Sequence, residues 1–414
     1  MISATTARPT QSDSIGTVLV PLLALVIFIN YVDRGSLAIT TPLVKDQLQF
    51  SGTEIGILLS AFFWTYVPAQ ILSGWLSERI SPCQVLALGL TLWSVATISM
   101  GFVNGFAGFL LLRLLLGIGE SAAFPCSSKL LASYVPPEQL GKANGLISAG
   151  MGLGPAFGTM IGGLVLAQFG WRPVYVLFGA ASLFWLLPWR HASQLVAAQL
   201  ASQPKPGSPP LAQVARNRNL WGAVLGHFCM NYAFYFILSW LPLYLVKARG
   251  LSIEHMAKTG GVVFLVFAAS GFFTGRITDR LIQSGHSINV VRKTFVVCAH
   301  GLIALCLVLT GLGDLPVALA SLLVAGVALG LGMPNVYAIG QTLAGPNAAG
   351  KWMGIQNAMA NCAGIVAPVV TGTIIDRTGN YDYAFYIAAL VVLAGMLGWG
   401  GVVRKVQVTD WQVA

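Results

Sequence analysis

Apolar runs of 18 or more residues recur along this chain from Val18 to Val403, separated by short polar or glycine- and proline-rich breaks. As a helix, each run is long enough to cross the hydrocarbon core of a bilayer, which is about 30 Å thick. Because backbone polar groups cannot bond to water there, only helices and closed barrels span membranes. Charged residues make up 9% of the chain, whereas soluble domains carry about 25%. The sequence therefore predicts an all-α membrane protein.

The apolar runs divide into twelve predicted transmembrane helices, six on each side of one long hydrophilic break. The centre of that break, residues 203–210, is rich in proline and serine, which is typical of a linker. The first run contains charged residues and has no clear small-residue cleavage site, so we interpret it as the first span rather than a cleaved signal peptide. The predicted organisation is an N-terminal tail, a six-helix bundle, a linker, a second six-helix bundle and a C-terminal tail, at residues 1–16, 17–190, 191–218, 219–404 and 405–414.

The lysines and arginines outside the spans predict how the helices are oriented. If both termini are cytoplasmic, the segments on that side hold 15 basic residues and the opposite loops hold 6. Short loops rich in lysine and arginine remain in the cytoplasm, so this distribution predicts cytoplasmic termini. The net charge of +10 then reflects topology, and no basic run with interleaved aromatic residues indicates nucleic-acid binding. The sequence contains no Asn-X-Ser/Thr sequon, which fits the inner membrane of a bacterium.

The two halves of the chain carry matching motifs. A loop of the form G-x-x-x-[DE]-R follows the second span of each half, with the motif residues Gly74, Glu78, Arg79, Gly275, Asp279 and Arg280. Span five contains Gly154 and Pro155 within a glycine-rich stretch, and span eleven contains Pro368 in a similar stretch. Two related six-helix halves around a midplane cavity form a transporter architecture in which the halves rock to expose the site alternately. Close helix packing alone is the alternative explanation of the glycines.

Four charged residues fall inside the predicted spans, namely Asp33, Arg34, Arg113 and Glu120. A charge in mid-bilayer costs at least about 2.5–3.5 kcal/mol on insertion scales, so such residues are functional candidates. Arg113 and Glu120 share one face of span four, but about 10 Å of helix axis separates them, which is too far for a direct bond. We expect Arg34 to pair with Glu120 across helices. A buried network that only sets helix register is the alternative.

These charges suggest proton coupling. A carboxyl group whose arginine partner leaves between two conformations binds protons differently in each, as a proton-driven carrier requires. An anion that competes with Glu120 for Arg34 would link substrate and proton directly. The guanidinium fork also fits the geometry of a carboxylate. The residues therefore favour a proton-coupled carrier of a small organic anion.

The six-plus-six arrangement with the acid–arginine loops resembles the major facilitator superfamily over nearly the whole chain. Glu78 departs from the aspartate that is usual in that family's loop. In the family this loop stabilises one conformational state, and the resemblance implies that role for both motifs. We expect a structural or gating role also for the glycine- and proline-rich spans, with Gly154, Pro155 and Pro368, and for Arg113.

Within that superfamily the chain is similar to the anion:cation symporter family, which includes bacterial hexonate transporters and animal vesicular glutamate, sialic acid and phosphate carriers. The similarity rests on Tyr31-x-Asp33-Arg34, on Tyr66, on Arg113-x₆-Glu120, on Tyr235 and on Asn357-x₃-Asn361. It implies that Asp33 and Glu120 are protonation sites and that Arg34 binds the substrate. The other implied substrate-binding residues are Tyr31, Tyr66, Met151, Tyr235, Tyr337, Asn357 and Asn361.

Two of these residues bear on which acid is carried. Tyr337 occupies a place where hexonate carriers often have tryptophan, and Met151 one where they have glutamine. Losing that amide leaves a less polar carboxylate open as the substrate. Asn361 could equally form an interhelical hydrogen bond.

Other classes of function are disfavoured or left open. Anion exchange and facilitated uniport are alternatives to symport. An enzyme would need a clustered nucleophile and base or a set of metal ligands, and neither is found in the sequence. The six cysteines lack CxxC spacing, so no metal or cofactor is predicted. The expected partners are the organic anion, protons and the lipid bilayer, and the family expectation is a monomer.

Overall fold

The computed structural model describes residues 11–50, 52–201 and 207–411. The predicted tail at 1–16 and linker at 191–218 lie partly outside these ranges, as do Arg8 and Lys205 of the charge count. The N-terminal half contains the helices α1 (Gln11–Leu48), α2 (Gly52–Arg79), α3 (Pro82–Met100), α4 (Phe106–Glu120), α5 (Ala123–Tyr134), α6 (Leu140–Phe169), α7 (Trp171–Phe184) and α8 (Leu186–Ala201). The remainder contains α9 (Leu211–Ala215), α10 (Arg218–Leu243), α11 (Ile253–Gln283), α12 (Ile288–Leu312), α13 (Leu315–Ala344), α14 (Ala349–Asn361), α15 (Ala363–Thr378) and α16 (Asp382–Leu397).

Within the described ranges, eleven helical segments are long and apolar enough to cross a membrane. The predicted sixth crossing falls on α7 and α8, which have 14 and 16 residues. Trp185 separates these two helices, and its indole Nε1 donates to the carbonyl of Leu22 in α1 at 2.9 Å. The all-helical fold is as predicted, whereas the count of twelve crossings stays a prediction. Helix α8 continues to Ala201, and α9 also lies in the segment predicted as a linker.

Two of the crossings are interrupted inside the bundle. Helix α4 ends at Glu120 and α5 begins at Ala123, and α14 ends at Asn361 before α15 begins at Ala363. Both pairs are nevertheless continuous enough to be recognised as single spans, Phe106–Tyr134 and Ala349–Thr378. The first interruption places a carboxylate at the end of a helix in the protein interior.

Glycines allow the two halves to approach closely at one end of the bundle. A Cβ on Gly275 of α11 would lie 2.1 Å from the carbonyl oxygen of Gly141 in α6. A Cβ on Gly74 of α2 would lie 2.3 Å from the carbonyl oxygen of Gly350 in α14. Only glycine fits where backbones pack at this distance. This end carries both acid–arginine loops, residues 74–79 and 275–280, and is called the motif end below.

Both described ends of the chain also lie at the motif end. In α1, a Cβ on Gly16 would be 3.2 Å from the carbonyl oxygen of Tyr134, at the end of α5. After α16, the amide of Thr409 donates to the carbonyl of Leu343 at 3.0 Å, and Trp411 Nε1 donates to that of Ala344 at 2.7 Å. The two ends of the described residues therefore lie on one side of the bundle, which is consistent with an even number of crossings. That this side is cytoplasmic stays a prediction.

Candidate functional site

A buried ion pair joins α1 to α4 at the centre of the N-terminal half. Arg34 donates from Nη2 to Oε2 of Glu120 at 3.0 Å and from Nε to the same oxygen at 3.2 Å. The side chain of Glu120 is 0% exposed and that of Arg34 is 10% exposed. The pairing across helices that the sequence predicts is therefore present, and both donors act on a single carboxylate oxygen.

Aromatic rings enclose the guanidinium group of Arg34. Its Cζ lies 4.8 Å from the ring centroid of Tyr31, 4.9 Å from that of Phe62 and 4.7 Å from that of Tyr66. A cation over such a ring gains about 0.5–2 kcal/mol, and most where water is excluded. These rings hold the charge inside the bundle and leave an aromatic lining around it.

Three buried polar atoms at this pair have no hydrogen-bond partner among the described residues. They are Nη1 of Arg34, Oε1 of Glu120 and Nδ2 of Asn30. Leaving a buried donor or acceptor unsatisfied costs about 1–3 kcal/mol. Two donors and one carboxyl oxygen are thus available at one place for a polar ligand.

Asp33 lies apart from this pair, toward α7. Its Oδ2 accepts a hydrogen bond from the hydroxyl of Ser182 at 3.0 Å, and the residue is 1% exposed. Its Oδ1 has no partner within the described ranges. No arginine within the described ranges neutralises this carboxyl group in an ion pair, so the two intramembrane acids have different surroundings.

Arg113 is buried between α4 and α2 rather than paired with an acid. Its Nε donates to the carbonyl of Leu58 at 3.0 Å, and its Cζ lies 5.3 Å from the ring centroid of Phe62. The guanidinium group therefore ties α4 to α2 and packs against a ring that Arg34 also contacts.

A chain of hydrogen bonds runs from the C-terminal half into the N-terminal half. Tyr235 donates from its hydroxyl to Oδ1 of Asn361 at 2.6 Å, and Asn361 donates to the carbonyl of Asn357 at 2.7 Å. Asn357 then donates from Nδ2 to Oε1 of Gln70 on α2 at 2.8 Å. In this conformation Asn361 forms the interhelical hydrogen bond that the sequence left as one of two options.

Tyr337 of α13 reaches the N-terminal half by aromatic stacking. Its ring stacks on that of Phe124, with centroids 5.2 Å apart and planes at 12°. Phe124 in turn meets the ring of Tyr31 edge-on at 6.5 Å. Rings from both halves thus lie beside the Arg34–Glu120 pair.

Helix α6 packs directly behind this aromatic cluster. A Cβ on Gly154 would lie 2.6 Å from Cβ of Tyr31, so this glycine permits α6 to contact α1. Met151 is 1% exposed, and Pro155 lies inside the same helix. Pro368 lies inside α15 in the other half.

At the motif end, Glu78 connects the two halves. Its Oε1 accepts from the backbone amide of Gly350, at the start of α14, at 2.9 Å, and its Oε2 forms an ion pair with Lys129 of α5. Lys129 also donates to the carbonyl of Pro346 in the opposite half. A carboxylate at a helix N-terminus is stabilised by the unsatisfied amides and by the helix dipole.

Asp279 makes the matching contact from the C-terminal half. It accepts from the backbone amides of Gly141 at 2.9 Å and Lys142 at 2.6 Å, at the start of α6. Arg292, which is 0% exposed, donates to the same carboxylate at 3.2 Å. Both motif acids therefore cap a helix of the opposite half.

The arginines of the two motifs lie elsewhere. Arg79 is exposed, with its guanidinium 4.3 Å from the ring centroid of Trp75, and Arg280 is exposed as well. In this conformation the glycine and the acid of each motif contact the other half.

Several residues at these sites were not among those predicted. Asn30 and Gln70 could have been found, because each lies four residues from a predicted site residue, Arg34 or Tyr66, on the same helix. Lys129 and Arg292 carry no local signal. Their roles depend on which residues of distant helices they meet.

Comparisons with known proteins agree with this architecture. A family model described as Major Facilitator Superfamily matches residues 23–351 and 284–411. A probable sulfoacetate transporter of Cupriavidus necator is 28% identical over 396 residues, covering 91% of each chain. A probable galactarate/D-glucarate transporter of Bacillus subtilis is 28% identical, covering 94% of this chain and 92% of that one. A hexuronate transporter of Bacillus subtilis is 29% identical, covering 93% and 94%.

Solved structures with the same fold include two transporters. The fucose:proton symporter of E. coli aligns with a TM-score of 0.69 at 20% identity and covers 95% of this chain and 100% of its own. A human organic anion transporter aligns with a TM-score of 0.71 at 18% identity, covering 95% and 100%.

Proposed function

This chain belongs to the major facilitator superfamily, and we propose that it imports a small organic anion together with protons by alternating access. It is a membrane transporter and not an enzyme. Sulfoacetate, galactarate, D-glucarate and hexuronate, after which the similar bacterial transporters are named, are all organic anions. They support an anion as the cargo here, and a bacterial inner membrane as the location.

One observation carries the proposal. Arg34 is buried against Glu120, yet its Nη1 and Oε1 of Glu120 have no partner within the described part of the chain. A guanidinium group binds a carboxylate through two parallel hydrogen bonds, and a free Nη1 can supply one of them. The anion therefore binds at Nη1 of Arg34 and competes with Glu120 for the remaining donors.

Competition for Arg34 couples the anion to a proton. When the donors of Arg34 turn to the substrate, Glu120 loses its counter-charge in a site that excludes water. An isolated ionised carboxylate is strongly disfavoured there, so Glu120 takes up a proton. Asp33, whose Oδ2 accepts a hydrogen bond from Ser182, is the second proton carrier. The bound anion thereby stabilises the protonated carrier.

Alternating access requires the contacts at the motif end to break. In this conformation the two motif acids cap helices of the opposite half, and glycine backbones meet across the interface. The motif end is therefore closed, and the anion enters from the opposite side. Release follows when Glu78 and Asp279 leave those helix ends and the halves rock apart. Arg113, Pro155 and Pro368 belong to the framework that moves.

The lining of the site favours a carboxylate of low polarity over a fully hydroxylated sugar acid. The rings of Tyr31, Phe62 and Tyr66 surround Arg34, and Phe124 stacks with Tyr337 next to them. A polyhydroxylated chain would lose water hydrogen bonds against these ring faces and regain few of them. The polar groups that the C-terminal half can offer include Asn357, Asn361 and Tyr235, which in this conformation bond to one another and to Gln70.

The test measures uptake by the purified protein in proteoliposomes, with and without an inward proton gradient. The protein is reconstituted at about one copy per vesicle, so that a monomer has to carry the activity. The probes are D-galactonate, D-glucarate, D-glucuronate, sulfoacetate, benzoate and phenylacetate. We expect gradient-driven uptake of at least one of them, and loss of that uptake in Arg34→Ala. Arg404→Ala, which removes an exposed arginine at the motif end, is the matched control. Equal uptake by Arg34→Ala, or uptake that does not respond to the proton gradient, overturns the proposal.

A further inference from the structure

Asn30 is a fully buried amide beside the ion pair, and its function is not explained by packing. It lies four residues before Arg34 on α1 and is 0% exposed. Residues four apart share one face of a helix, so both side chains point into the same space. An amide buried in this way is costly unless its polar atoms are used.

The orientation of the Asn30 amide follows from its neighbour. Arginine has only hydrogen-bond donors, so the atom of Asn30 that faces it must be the oxygen. Oδ1 accepts from Nη2 of Arg34 at 3.1 Å, while the other hydrogen of Nη2 is directed to Oε2 of Glu120 at 3.0 Å. Both hydrogens of Nη2 are therefore used, and the guanidinium group is held from two sides.

These two acceptors respond differently to protons. Glu120 loses its charge when it binds a proton, and its hold on Arg34 weakens. The amide of Asn30 does not titrate, so its hold on Arg34 is the same in either protonation state. The guanidinium plane would otherwise be free to turn just when the anion has to bind to Nη1.

We propose that Asn30 is a positioning residue that keeps Nη1 of Arg34 presented to the anion after Glu120 has been protonated. The proposal rests on the proposed function, because it uses Arg34 as the anion-binding group. It adds a residue that is required by the protonated carrier and dispensable in the unprotonated one.

The other ionisable groups near the pair have to be separated from this effect. The charged and titratable side chains around Arg34 and Glu120 are Tyr31 and Asp33 on α1, Tyr66 on α2, Arg113 on α4, Tyr235 on α10 and Tyr337 on α13. Tyrosine and arginine keep their charge state in ordinary assay buffers. Asp33 is the remaining group that can titrate, so the experiment must isolate Glu120 by substitution.

The first measurement needs no substrate. Thermal unfolding midpoints are compared for wild type, Asn30→Ala, Glu120→Gln and the double variant, because glutamine imitates the protonated acid. We expect Asn30→Ala to lower the midpoint at least about twice as much when position 120 is glutamine, since Arg34 then has no strong acceptor left. Equal losses in the two backgrounds overturn the proposal.

The second measurement follows the apparent Kd of a probe anion from the uptake panel at pH 5.5 and pH 8. We expect Asn30→Ala to weaken binding about tenfold at pH 5.5, the effect of one hydrogen bond to a charged group, and less than about threefold at pH 8. Thr41→Ala, which removes only a hydroxyl bonded to the carbonyl of Leu37 in the same helix, should match wild type. A loss of affinity that is equal at both pH values indicates mere packing and overturns the proposal.

The two measurements separate the possible failures. If wild type binds no anion of the panel, the proposed function fails, while the unfolding midpoints still decide whether Asn30 holds Arg34. If wild type binds a probe and Asn30→Ala shows no pH-dependent loss, the proposed function stands and the role of Asn30 is refuted.

Discussion

Substitution of Gly275 by alanine tests whether glycine contacts close the motif end. The new Cβ would lie 2.1 Å from the carbonyl oxygen of Gly141 and 3.0 Å from Cα of Gly145, and all of these atoms are backbone. Real Cβ atoms essentially never lie within 3.0 Å of such neighbours. Because no side chain can rotate away, α6 and α11 must separate by about 1 Å.

That displacement weakens a specific contact. The amide of Gly141 donates to Asp279 at 2.9 Å, and an additional 1 Å or so takes this pair beyond hydrogen-bonding distance. Overpacking of a tight interface costs about 1–3 kcal/mol. A free-energy change of about this size lowers the ratio of closed to open molecules about 5- to 150-fold. Because a transport cycle visits both states, we expect uptake in proteoliposomes to fall by at least about fivefold.

The conformational shift can be read separately from transport. Ser128, 2% exposed, accepts a hydrogen bond from Gln341 of the other half, so Ser128→Cys makes a reporter at the closed interface. We expect a water-soluble maleimide to label this cysteine about five times faster or more in Gly275→Ala. The same proteins without Ser128→Cys give the background labelling of the native cysteines, among them the exposed Cys298.

A matched control lies on the same helix. Gly261 has no heavy atom within 4 Å of its ideal Cβ position, so Gly261→Ala adds a methyl group without a clash. Alanine is favoured over glycine in a helix by about 1 kcal/mol, and this variant should fold and transport like wild type. If Gly275→Ala also transports and labels like wild type, the glycine contact does not determine closure of the motif end.

Three further outcomes are expected. Asp33→Asn should abolish gradient-driven uptake while keeping counterflow of labelled anion at equal pH. Loss of both activities would show that the role of Asp33 is not confined to carrying a proton. Lys129→Ala leaves the buried carboxylate of Glu78 without its ion-pair partner, which costs about 3–5 kcal/mol. We therefore expect a lower unfolding midpoint and faster maleimide labelling of the Ser128→Cys reporter. A Lys129→Arg variant that shows the same losses would mean that the positive charge is not the cause. Trp411→Ala removes the indole hydrogen bond to the end of α13 and should lower the unfolding midpoint by a few degrees. Asp410→Ala, which changes an exposed residue, should leave the midpoint unchanged. If the two variants have the same midpoint, the C-terminal segment does not stabilise the bundle through Trp411.

The sequence already contained the membrane character of the protein and the identity of its most informative charges. Long apolar runs and the scarcity of charge are properties of composition, and they follow from the bilayer as solvent whatever the helix arrangement. Arg34 and Glu120 could be recognised as a pair because few charges of opposite sign are available inside the spans. The resemblance to a known family then supplied candidate roles for Tyr31, Tyr66 and Tyr337.

Contacts between distant helices, within one half or across the two, could not be derived in this way. Glu78 bonds to the amide of Gly350 across 272 positions, and Asp33 to Ser182 across 149. Helical periodicity specifies only which face of one helix a side chain occupies. Which partner it meets depends on the tilt, rotation and depth of a second helix, and these are set by packing against all the neighbours together.

The sequence by itself thus determined a helical membrane transporter with a buried arginine and two buried acids, because each of those features is local or compositional. Only the tertiary structure decided that Glu120 shares Arg34 with Asn30, that Asp33 stands apart, and that both motif acids cap helices of the opposite half. The physical reason is that hydrogen bonds and ion pairs form over about 3 Å, so they depend on how distant helices are placed.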